Sequence, residues 1–145
     1  MIEIADTASY DLPAAAIFAV LSDIPGYATW HEAVESATLV DGPLRVGARV
    51  RQTRKEMGWR GEVNVTVVQF VPGELITLAT DEGTKPAVRQ SYQVTAEGDG
   101  CKLTYKLTLD GVPKMFEPIV RERLRRQLPR TLRRIPESAA VTPAS

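Results

Sequence analysis

The chain has 145 residues, of which 43% are hydrophobic and 25% charged, and its 18 Lys or Arg balance 18 Asp or Glu. This length predicts one domain with a buried core, and this composition excludes wholesale disorder. The net charge of zero argues against a protein built as a whole to bind nucleic acid. We also expect no integral membrane association, because no apolar run approaches the ~18 residues of a membrane span.

Cysteine usage and the N-terminus bear on the cellular compartment. Cys101 is the single cysteine, so it has no partner for an internal disulfide, which favours a reducing compartment. The first six residues lack both the basic start and the apolar run of a secretory signal peptide. We therefore predict a cytoplasmic protein.

The first part of the chain predicts one strand followed by two short helices. Residues 2–10 begin with alternating isoleucines and are predicted as a strand. Residues 11–13, Asp-Leu-Pro, are typical of a helix start. Apolar residues then recur at helical spacing, at Ile17, Val20 and Leu21. Residues 22–26 break this helix, and a second short helix is predicted over 27–31.

Residues 34–110 predict a meander of antiparallel strands. Segments rich in Val, Thr, Leu and Tyr are separated by compact turns such as Pro72-Gly73 and Asp99-Gly100. The six predicted strands are 34–41, 46–56, 60–70, 74–80, 86–97 and 101–110. The linkers are too short to hold a crossover helix, so consecutive strands must pair antiparallel.

The predicted sheet has one apolar face that needs a cover. In the last strand this face is formed by Leu103, Tyr105, Leu107 and Leu109. Segment 114–135 supplies the cover as a helix, because apolar residues recur four apart along it: Phe116, Val120, Leu124, Leu128 and Leu132. Pro129 lies inside this helix and predicts a kink or an early end. Residues 137–145 are predicted as an unstructured tail.

The order of elements predicts an α+β helix-grip fold in one domain over residues 1–136. A curved seven-stranded antiparallel sheet wraps around the long C-terminal helix, and two short helices follow the first strand. This order resembles the START-like, birch-pollen-allergen-like (SRPBCC) superfamily, and within it the bacterial polyketide cyclase/dehydrase and lipid-transport proteins. The resemblance covers residues 2–135. Its local matches are Leu12-Pro13-Ala14, Ile24-Pro25 through Trp30-His31, Val46-Gly47 and Phe70-Val71-Pro72.

The resemblance implies a fold rather than one activity, because its members include lipid carriers, cyclases, hormone receptors and chaperone partners. A curved sheet that grips a helix leaves a mostly apolar cavity, where small ligands bind. The leading hypothesis is that the protein binds a small hydrophobic molecule, lipid-like or polyketide-like, between the sheet and the C-terminal helix. One alternative is a cyclase or dehydratase acting on an aromatic polyketide. Another is a protein-interaction module that uses the basic last helix.

Polar residues predicted on the inner face of the sheet are the first candidates for a ligand site. They are Gln52, Arg54, Gln90, Tyr92 and Tyr105. Burying such groups without partners costs on the order of 1–3 kcal/mol each. They either line a cavity and fix the polar end of a ligand, or they pair with one another, lie at a wet rim, or turn outward at a bulge.

Arg54 and His31 are the residues with the most specific chemistry. A guanidinium in a half-apolar pocket selects a carboxylate or phenolate, whereas the alternative for Arg54 is an ion pair with Glu56 or Glu62. His31 is the single histidine. In the cyclase alternative, His31 and Arg54 are the candidate catalytic residues that manage a proton. The competing interpretation of His31 is a structural or solvent-facing role.

Four apolar side chains complete the candidate ligand site: Trp30, Trp59, Phe116 and Val120. A place in the core is the alternative for each of them. No metal and no cofactor is expected, because one His and one Cys cannot form a structural zinc site and Gly-rich phosphate loops do not occur.

Segment 114–137 contains eight Lys or Arg and three Glu, a net charge of +5 in a chain whose total is zero. The simplest interpretation is a solvated helix face whose charge is offset elsewhere. The alternatives are binding of nucleic acid, binding of anionic lipid headgroups, or docking on an acidic partner through Arg125, Arg126 and Arg130. A small hydrophobic ligand is the one partner we expect, for a monomer or a homodimer.

Overall fold

The computed structural model describes the backbone of residues 1–56 and 59–141, and their side chains except at positions 56, 59, 140 and 141. The strands are β1 Ile2–Tyr10, β2 Val34–Leu39, β3 Arg49–Glu56, β4 Trp59–Val71, β5 Leu75–Thr80, β6 Ala87–Glu97 and β7 Gly100–Asp110. The helices are α1 Ala14–Ser22, α2 Tyr27–Trp30 and α3 Glu117–Val141, with 3-10 turns at Ile24–Gly26 and Lys114–Phe116.

The seven strands form one antiparallel sheet in the order β1-β7-β6-β5-β4-β3-β2. Strands β2 to β7 are a meander, and β1 pairs with β7 in one register from Ile2 opposite Leu109 to Tyr10 opposite Cys101. The predicted sheet and the predicted order of helices are confirmed. Extra residues in β2 and β4 shift the register against their neighbours, and such bulges bend a strand.

The burial of side chains follows the predicted alternation. In β7 every second side chain from Cys101 to Leu109 is buried, while those between them are half-buried or exposed. Buried residues of α3 join the inner face of the sheet in one hydrophobic core. They are Val120, Leu124, Leu128, Leu132 and Ile135. The core therefore lies between the sheet and α3, as the four-residue spacing predicts.

Helix α3 continues through both of its prolines and ends at Val141. A kink or an early end is predicted at Pro129; the early end does not occur, and residues 137–141 of the predicted tail are helical. Pro129 has no N–H to donate to the carbonyl four residues earlier. Because Pro129 is exposed, its ring and this carbonyl lie on the side of the helix that faces solvent. Buried Leu128 and Leu132 hold the helix against the sheet on either side of it. None of the helices described combines the length and apolarity needed to cross a membrane.

A tyrosine of β1 compensates for the second proline of α3. Pro136 has no N–H to donate to the carbonyl of Leu132, four residues earlier. The Tyr10 hydroxyl donates to that carbonyl at 2.6 Å instead. Burial raises the pKa of Tyr10 above its usual value, so the hydroxyl keeps its proton at neutral pH. Strand β1 and helix α3 are thus joined at a point where the helix lacks its own hydrogen bond.

The same device fixes the end of α1. The Leu21 carbonyl has a proline, Pro25, four residues later, and it accepts a 2.6 Å hydrogen bond from the buried Tyr27 hydroxyl. Because Tyr27 begins α2, this bond sets α2 against the end of α1. It thereby positions Trp30, the last residue of α2, and His31, which follows it, under the sheet.

Replacing Tyr10 by phenylalanine is expected to lower the free energy of unfolding by about 1–2 kcal/mol, because the Leu132 carbonyl loses its donor. Chemical denaturation of both proteins measures this difference. Pro136→Ala restores an N–H at position 136 and provides the matched control. In that background Tyr10→Phe should cost less than about 0.5 kcal/mol. An equal cost in both backgrounds would show that the hydroxyl does not compensate for the proline.

Candidate functional site

The polar side chains buried on the inner side of the fold include six that the sequence singled out, each at most 4% exposed. Five of them are the predicted inner-face residues of β3, β6 and β7: Gln52, Arg54, Gln90, Tyr92 and Tyr105. Strand alternation places them there, because residues two apart on a strand share a face. The sixth is His31, which directly follows α2. Side chains that are far apart in the sequence therefore meet on one surface.

Gln90 is the centre of a hydrogen-bonded group that we call the Gln90 cluster, made of His31, Gln90, Tyr92 and Tyr105. The Gln90 side-chain oxygen accepts hydrogen bonds from the Tyr105 hydroxyl at 2.8 Å and from the Tyr92 hydroxyl at 2.9 Å. It lies 2.9 Å from His31 Nε2, which is also 3.3 Å from the Tyr105 hydroxyl. Mutual pairing, one of the predicted alternatives, thus accounts for the burial of these groups.

The hydrogen bonds of His31 determine its tautomer. The backbone N–H of Ala33 donates to His31 Nδ1 at 3.2 Å, so Nδ1 carries no proton. The proton of a neutral ring is then on Nε2, which donates it to Gln90. Both ring nitrogens are engaged in this arrangement, so neither has a free lone pair for accepting a proton from a ligand.

The pKa of His31 is lowered to about 3, first by burial and then by the nearby positive charge of Arg54, while the hydrogen bond to Gln90 acts in the opposite direction. Burial also raises the pKa of Tyr92 well above its usual value. At neutral pH His31 is therefore uncharged and Tyr92 keeps its hydroxyl proton. Both act as neutral hydrogen-bond donors.

Aromatic rings pack around the Gln90 cluster. Tyr92 and Tyr105 are stacked, with ring centroids 4.6 Å apart. Trp30 meets Tyr92 edge to face at 5.8 Å and packs on Tyr27 at 4.5 Å. Trp30 is fully buried. These contacts hold the cluster in a rigid aromatic wall.

Gln52 and Arg54 form a second polar pair on β3. Arg54 Nη1 donates to Gln52 Oε1 at 2.9 Å, which orients the guanidinium along the inner face of the strand. Glu62, one of the two acidic partners predicted for Arg54, lies 3.4 Å from Arg51 on the outer face. The side chain of Glu56, the other predicted partner, lies outside the described residues.

A cleft of about 380 Å³ opens beside Arg54. We call it the Arg54 cleft. The ends of β3 and β4, β5, and the segment 81–88 surround it. The described residues that line it are Arg54, Glu62, Val63, Asn64, Thr80, Asp81, Thr84, Lys85, Pro86 and Val88. Val63 and Val88 have the same inward orientation as Gln52 and Gln90, so the cleft reaches the inner face of the sheet.

The two carboxylates at the rim of the cleft contact arginines of the outer face. Asp81 lies 2.8 Å from Arg49, and Glu62 lies 3.4 Å from Arg51. These four side chains are at least partly exposed, so the pairs contribute little to stability. Their effect on the cleft is to offset the negative charge at its rim.

Of the predicted ligand residues whose side chains the structure describes, Arg54 alone lines the Arg54 cleft. Trp30 and Val120 are buried in the core, and Phe116 is half-exposed at the start of α3. The side chain of Trp59 lies outside the described residues. In the part of the chain that the structure describes, His, Cys, Asp and Glu side chains do not form a group of three suited to a metal ion.

Sequence reasoning missed the segment that precedes β6. Thr84, Lys85 and Pro86 line the Arg54 cleft, but the sequence predicts only a turn before position 86 and the start of a strand at Pro86. Their one signal is the turn pair Glu82-Gly83, and this pair does not tell onto which face the segment folds.

The model of the family "polyketide cyclase / dehydrase and lipid transport" matches residues 1–139. The chain belongs to this family. The resemblance expected from the order of elements is therefore confirmed over nearly its whole length. No curated protein matches the chain.

Solved structures of low sequence identity have the same fold. A START superfamily protein from Mycobacterium smegmatis has a TM-score of 0.80 and 15% identity, covering 97% of this chain and 99% of that one. A protein from Thermus thermophilus has a TM-score of 0.76 and 16% identity, covering 97% and 100%. The Zhui aromatase/cyclase from Streptomyces sp. R1128 has a TM-score of 0.66 and 16% identity, covering 95% and 90%. At such identities the likeness concerns the fold, and function must be argued from the site.

Proposed function

We propose that the protein binds a small amphipathic molecule, lipid-like or polyketide-like, between the sheet and α3, and that the molecule enters through the Arg54 cleft. One observation carries the proposal: a cleft of about 380 Å³ reaches the inner face of the sheet beside a buried guanidinium. This volume falls within the range of about 300–1,000 Å³ that small-molecule sites occupy.

The chemistry of the cleft suits a ligand with an apolar body and a polar end. Val63, Val88 and Pro86 offer apolar contact, while Arg54 and Lys85 bring positive charge. A guanidinium presents its N–H groups in a plane that matches a carboxylate or a phenolate. Gln52 holds Arg54 in position, so less conformational entropy is lost when a ligand binds.

The Gln90 cluster supports binding more than proton transfer. A general base needs an available lone pair and a pKa near the working pH. His31 has both ring nitrogens engaged and a pKa near 3, so it meets neither condition. We therefore assign His31 a structural role and Arg54 a role in ligand binding.

Cyclisation of a polyketide is the alternative function, and the family description includes it. In that case the cleft would act by holding a reactive chain in a folded conformation, an effect of orientation alone. This alternative uses the same cleft and the same Arg54. If the wild-type protein forms a cyclised product from a poly-β-keto thioester and the Arg54→Gln variant does not, the function is catalysis and not binding alone.

Calorimetric titration with decanoate and decanol tests the proposal, because the two ligands share an apolar chain and differ in charge. Arg54→Gln is expected to weaken decanoate binding about 10- to 100-fold, since a hydrogen bond to a charged group contributes about 1.5–3 kcal/mol. Decanol binding should change far less. A hydroxynaphthoate, titrated in parallel, reports whether a polyketide-like aromatic ring is preferred.

Arg89→Gln is the matched control. Arg89 is exposed on β6, adjacent to the lining residue Val88 but on the opposite face. Its substitution removes the same charge and should leave all three affinities unchanged. If none of the ligands binds, and mass spectrometry of the purified native protein finds no small molecule, the proposed function is wrong.

A further inference from the structure

The outer face of α3 carries a row of exposed arginines. Arg123, Arg126, Arg130 and Arg133 are three and four residues apart, so they lie on one stripe of the helix. This stripe is opposite the buried leucines of α3. We call these four residues the arginine row. With 1.5 Å of rise per residue, the row extends over about 15 Å.

Exposed apolar side chains lie at the N-terminal end of this row. Met115 is 77% exposed, Phe116 50% and Ile119 59%. Ile119 precedes Arg123 by four residues and therefore continues the same stripe. We call Met115, Phe116 and Ile119 the apolar tip. Three large apolar residues exposed side by side mark a contact surface more often than single ones do.

The positive charge of this surface is only partly offset. Arg126 lies 3.1 Å from Glu122, and Arg130 lies 3.5 Å from Glu32. Within the described ranges, Arg123 and Arg133 form no ion pair. The segment 114–137 keeps a net charge of +5. The surface therefore attracts anionic groups.

We propose that this surface docks the protein on an anionic lipid bilayer, with the apolar tip inserted among the headgroups and the arginine row lying along them. Apolar side chains next to basic ones on a single helix face are what such a surface selects. Each basic residue near an anionic membrane contributes about 1 kcal/mol, which is about fivefold in affinity. Four arginines and a short apolar tip therefore suffice for reversible binding.

Other occupants fit the same surface less well. In a symmetric dimer the two arginine rows would face each other, and like charges would repel across the interface. A nucleic acid would match the arginines but would leave Met115 and Ile119 without a partner of suitable chemistry. The combination of both features therefore favours a lipid surface.

The location of the apolar tip connects docking with the Arg54 cleft, and this connection rests on the proposed function. Asp110, at the end of β7, pairs with Ala87 at the start of β6. Next to it, Gly111 approaches Lys85 and Pro86 so closely that an added Cβ would lie 3.4 Å from Pro86 Cα. The apolar tip begins four residues after Gly111. Docking would therefore bring the part of the cleft rim formed by Lys85 and Pro86 close to the bilayer.

Co-sedimentation with vesicles tests the docking without any ligand. The wild-type chain should sediment with vesicles of phosphatidylcholine and phosphatidylglycerol in equal parts, and not with pure phosphatidylcholine. Binding should be lost in 1 M NaCl, where the Debye length falls to about 3 Å. Absence of binding to the anionic vesicles, or equal binding to both kinds, would overturn the proposal.

Two variants and one control separate this surface from general charge effects. Arg123→Gln with Arg133→Gln should weaken binding to the anionic vesicles about 25-fold. Met115→Ser with Phe116→Ser should weaken it about tenfold. The control, Arg89→Gln with Lys102→Gln, removes two exposed charges from the sheet and should have less than a twofold effect. An equal loss in the control would refute a role for α3.

The outcomes for docking and for ligand binding can be told apart. Since the α3 variants change exposed residues outside the Arg54 cleft, their affinity for decanoate should equal that of the wild type. Arg54→Gln should sediment with anionic vesicles as the wild type does. Vesicle binding without decanoate binding would support the docking surface and contradict ligand binding in the Arg54 cleft. Decanoate binding without vesicle binding would contradict the docking surface.

Discussion

Replacing Gln90 by methionine is expected to lower the free energy of unfolding by about 3–4 kcal/mol and the Tm by roughly 10 °C. Methionine has nearly the shape of glutamine but cannot accept hydrogen bonds of comparable strength. The Tyr92 and Tyr105 hydroxyls and His31 Nε2 would then lose the acceptor that they share. Unsatisfied buried donors carry the full cost of their desolvation.

Chemical denaturation of Gln90→Met and of a control, Gln93→Met, measures this cost. Gln93 is on the same strand but exposed on the opposite face, so its substitution should change the free energy of unfolding by less than about 0.5 kcal/mol. In a double-mutant cycle, Tyr92→Phe should be less harmful in the Gln90→Met background than in the wild type. Additive effects would show that the cluster does not act as a unit.

Acidification from pH 7 to pH 5 is expected to remove about 2 kcal/mol of stability through His31 alone. The pKa of His31 is about 3 in the folded protein and about 6.5 in the unfolded chain. Between these values the unfolded chain binds a proton that the folded protein excludes, so stability rises with pH. The contribution is complete above pH 6.5 and is lost as the pH falls toward 3.

This pH dependence can be measured cleanly because His31 is the single histidine of the chain. Denaturation curves at pH 5, 6 and 7 give the slope for the wild type and for His31→Gln, which retains hydrogen-bonding groups but does not titrate. The variant should have a nearly flat profile over this range, since carboxylates titrate mostly below it. Equal slopes in both proteins would contradict a neutral, buried His31.

Both predictions concern one property of the site. Its polar groups are buried and hydrogen-bonded to one another, and His31 among them is uncharged. Because the neighbouring Gln90 cluster is uncharged, the charge among these six buried polar side chains is that of the Arg54 guanidinium. Removing Gln90 or protonating His31 would place unsatisfied groups or a second positive charge there. The cluster therefore helps to keep Arg54 in a position where it can meet a ligand.

Much of the fold could be predicted from local patterns. The alternation in β7 predicts which side chains are buried, and the same period of two correctly turns Gln52, Arg54 and Gln90 inward. The four-residue spacing in α3 predicts its buried stripe, from Val120 to Leu132. These features depend on backbone periodicity, which a sequence displays directly.

The length of α3 could not be predicted from such patterns. Pro129 and Pro136 are both strong signals for ending a helix, yet α3 contains both. The donor that compensates for Pro136 belongs to Tyr10, which is 122 residues away in the chain from the Leu132 carbonyl that it reaches. Local sequence rules do not include a hydrogen bond from another element, so they predict an end that does not occur.

For the site, the sequence indicated which polar residues belong to it, but not which of them form hydrogen bonds with one another. His31 has no neighbour in the sequence that suggests a hydrogen-bond network, and Gln90 is 59 positions away. The segment 81–86 also becomes part of the Arg54 cleft only because the β5–β6 connection folds against the ends of β3 and β4. Contacts of this kind depend on how the strands are arranged in space.

By itself, the sequence determined the elements, their order and the inward faces of β3, β6 and β7, because these follow from periodicities of two and of about four residues along one chain. The tertiary structure alone decided that Gln90 accepts three hydrogen bonds, that His31 is neutral and that α3 continues past its prolines. Each of these depends on groups brought together from distant positions, where burial and hydrogen-bond geometry outweigh the preferences of any single segment.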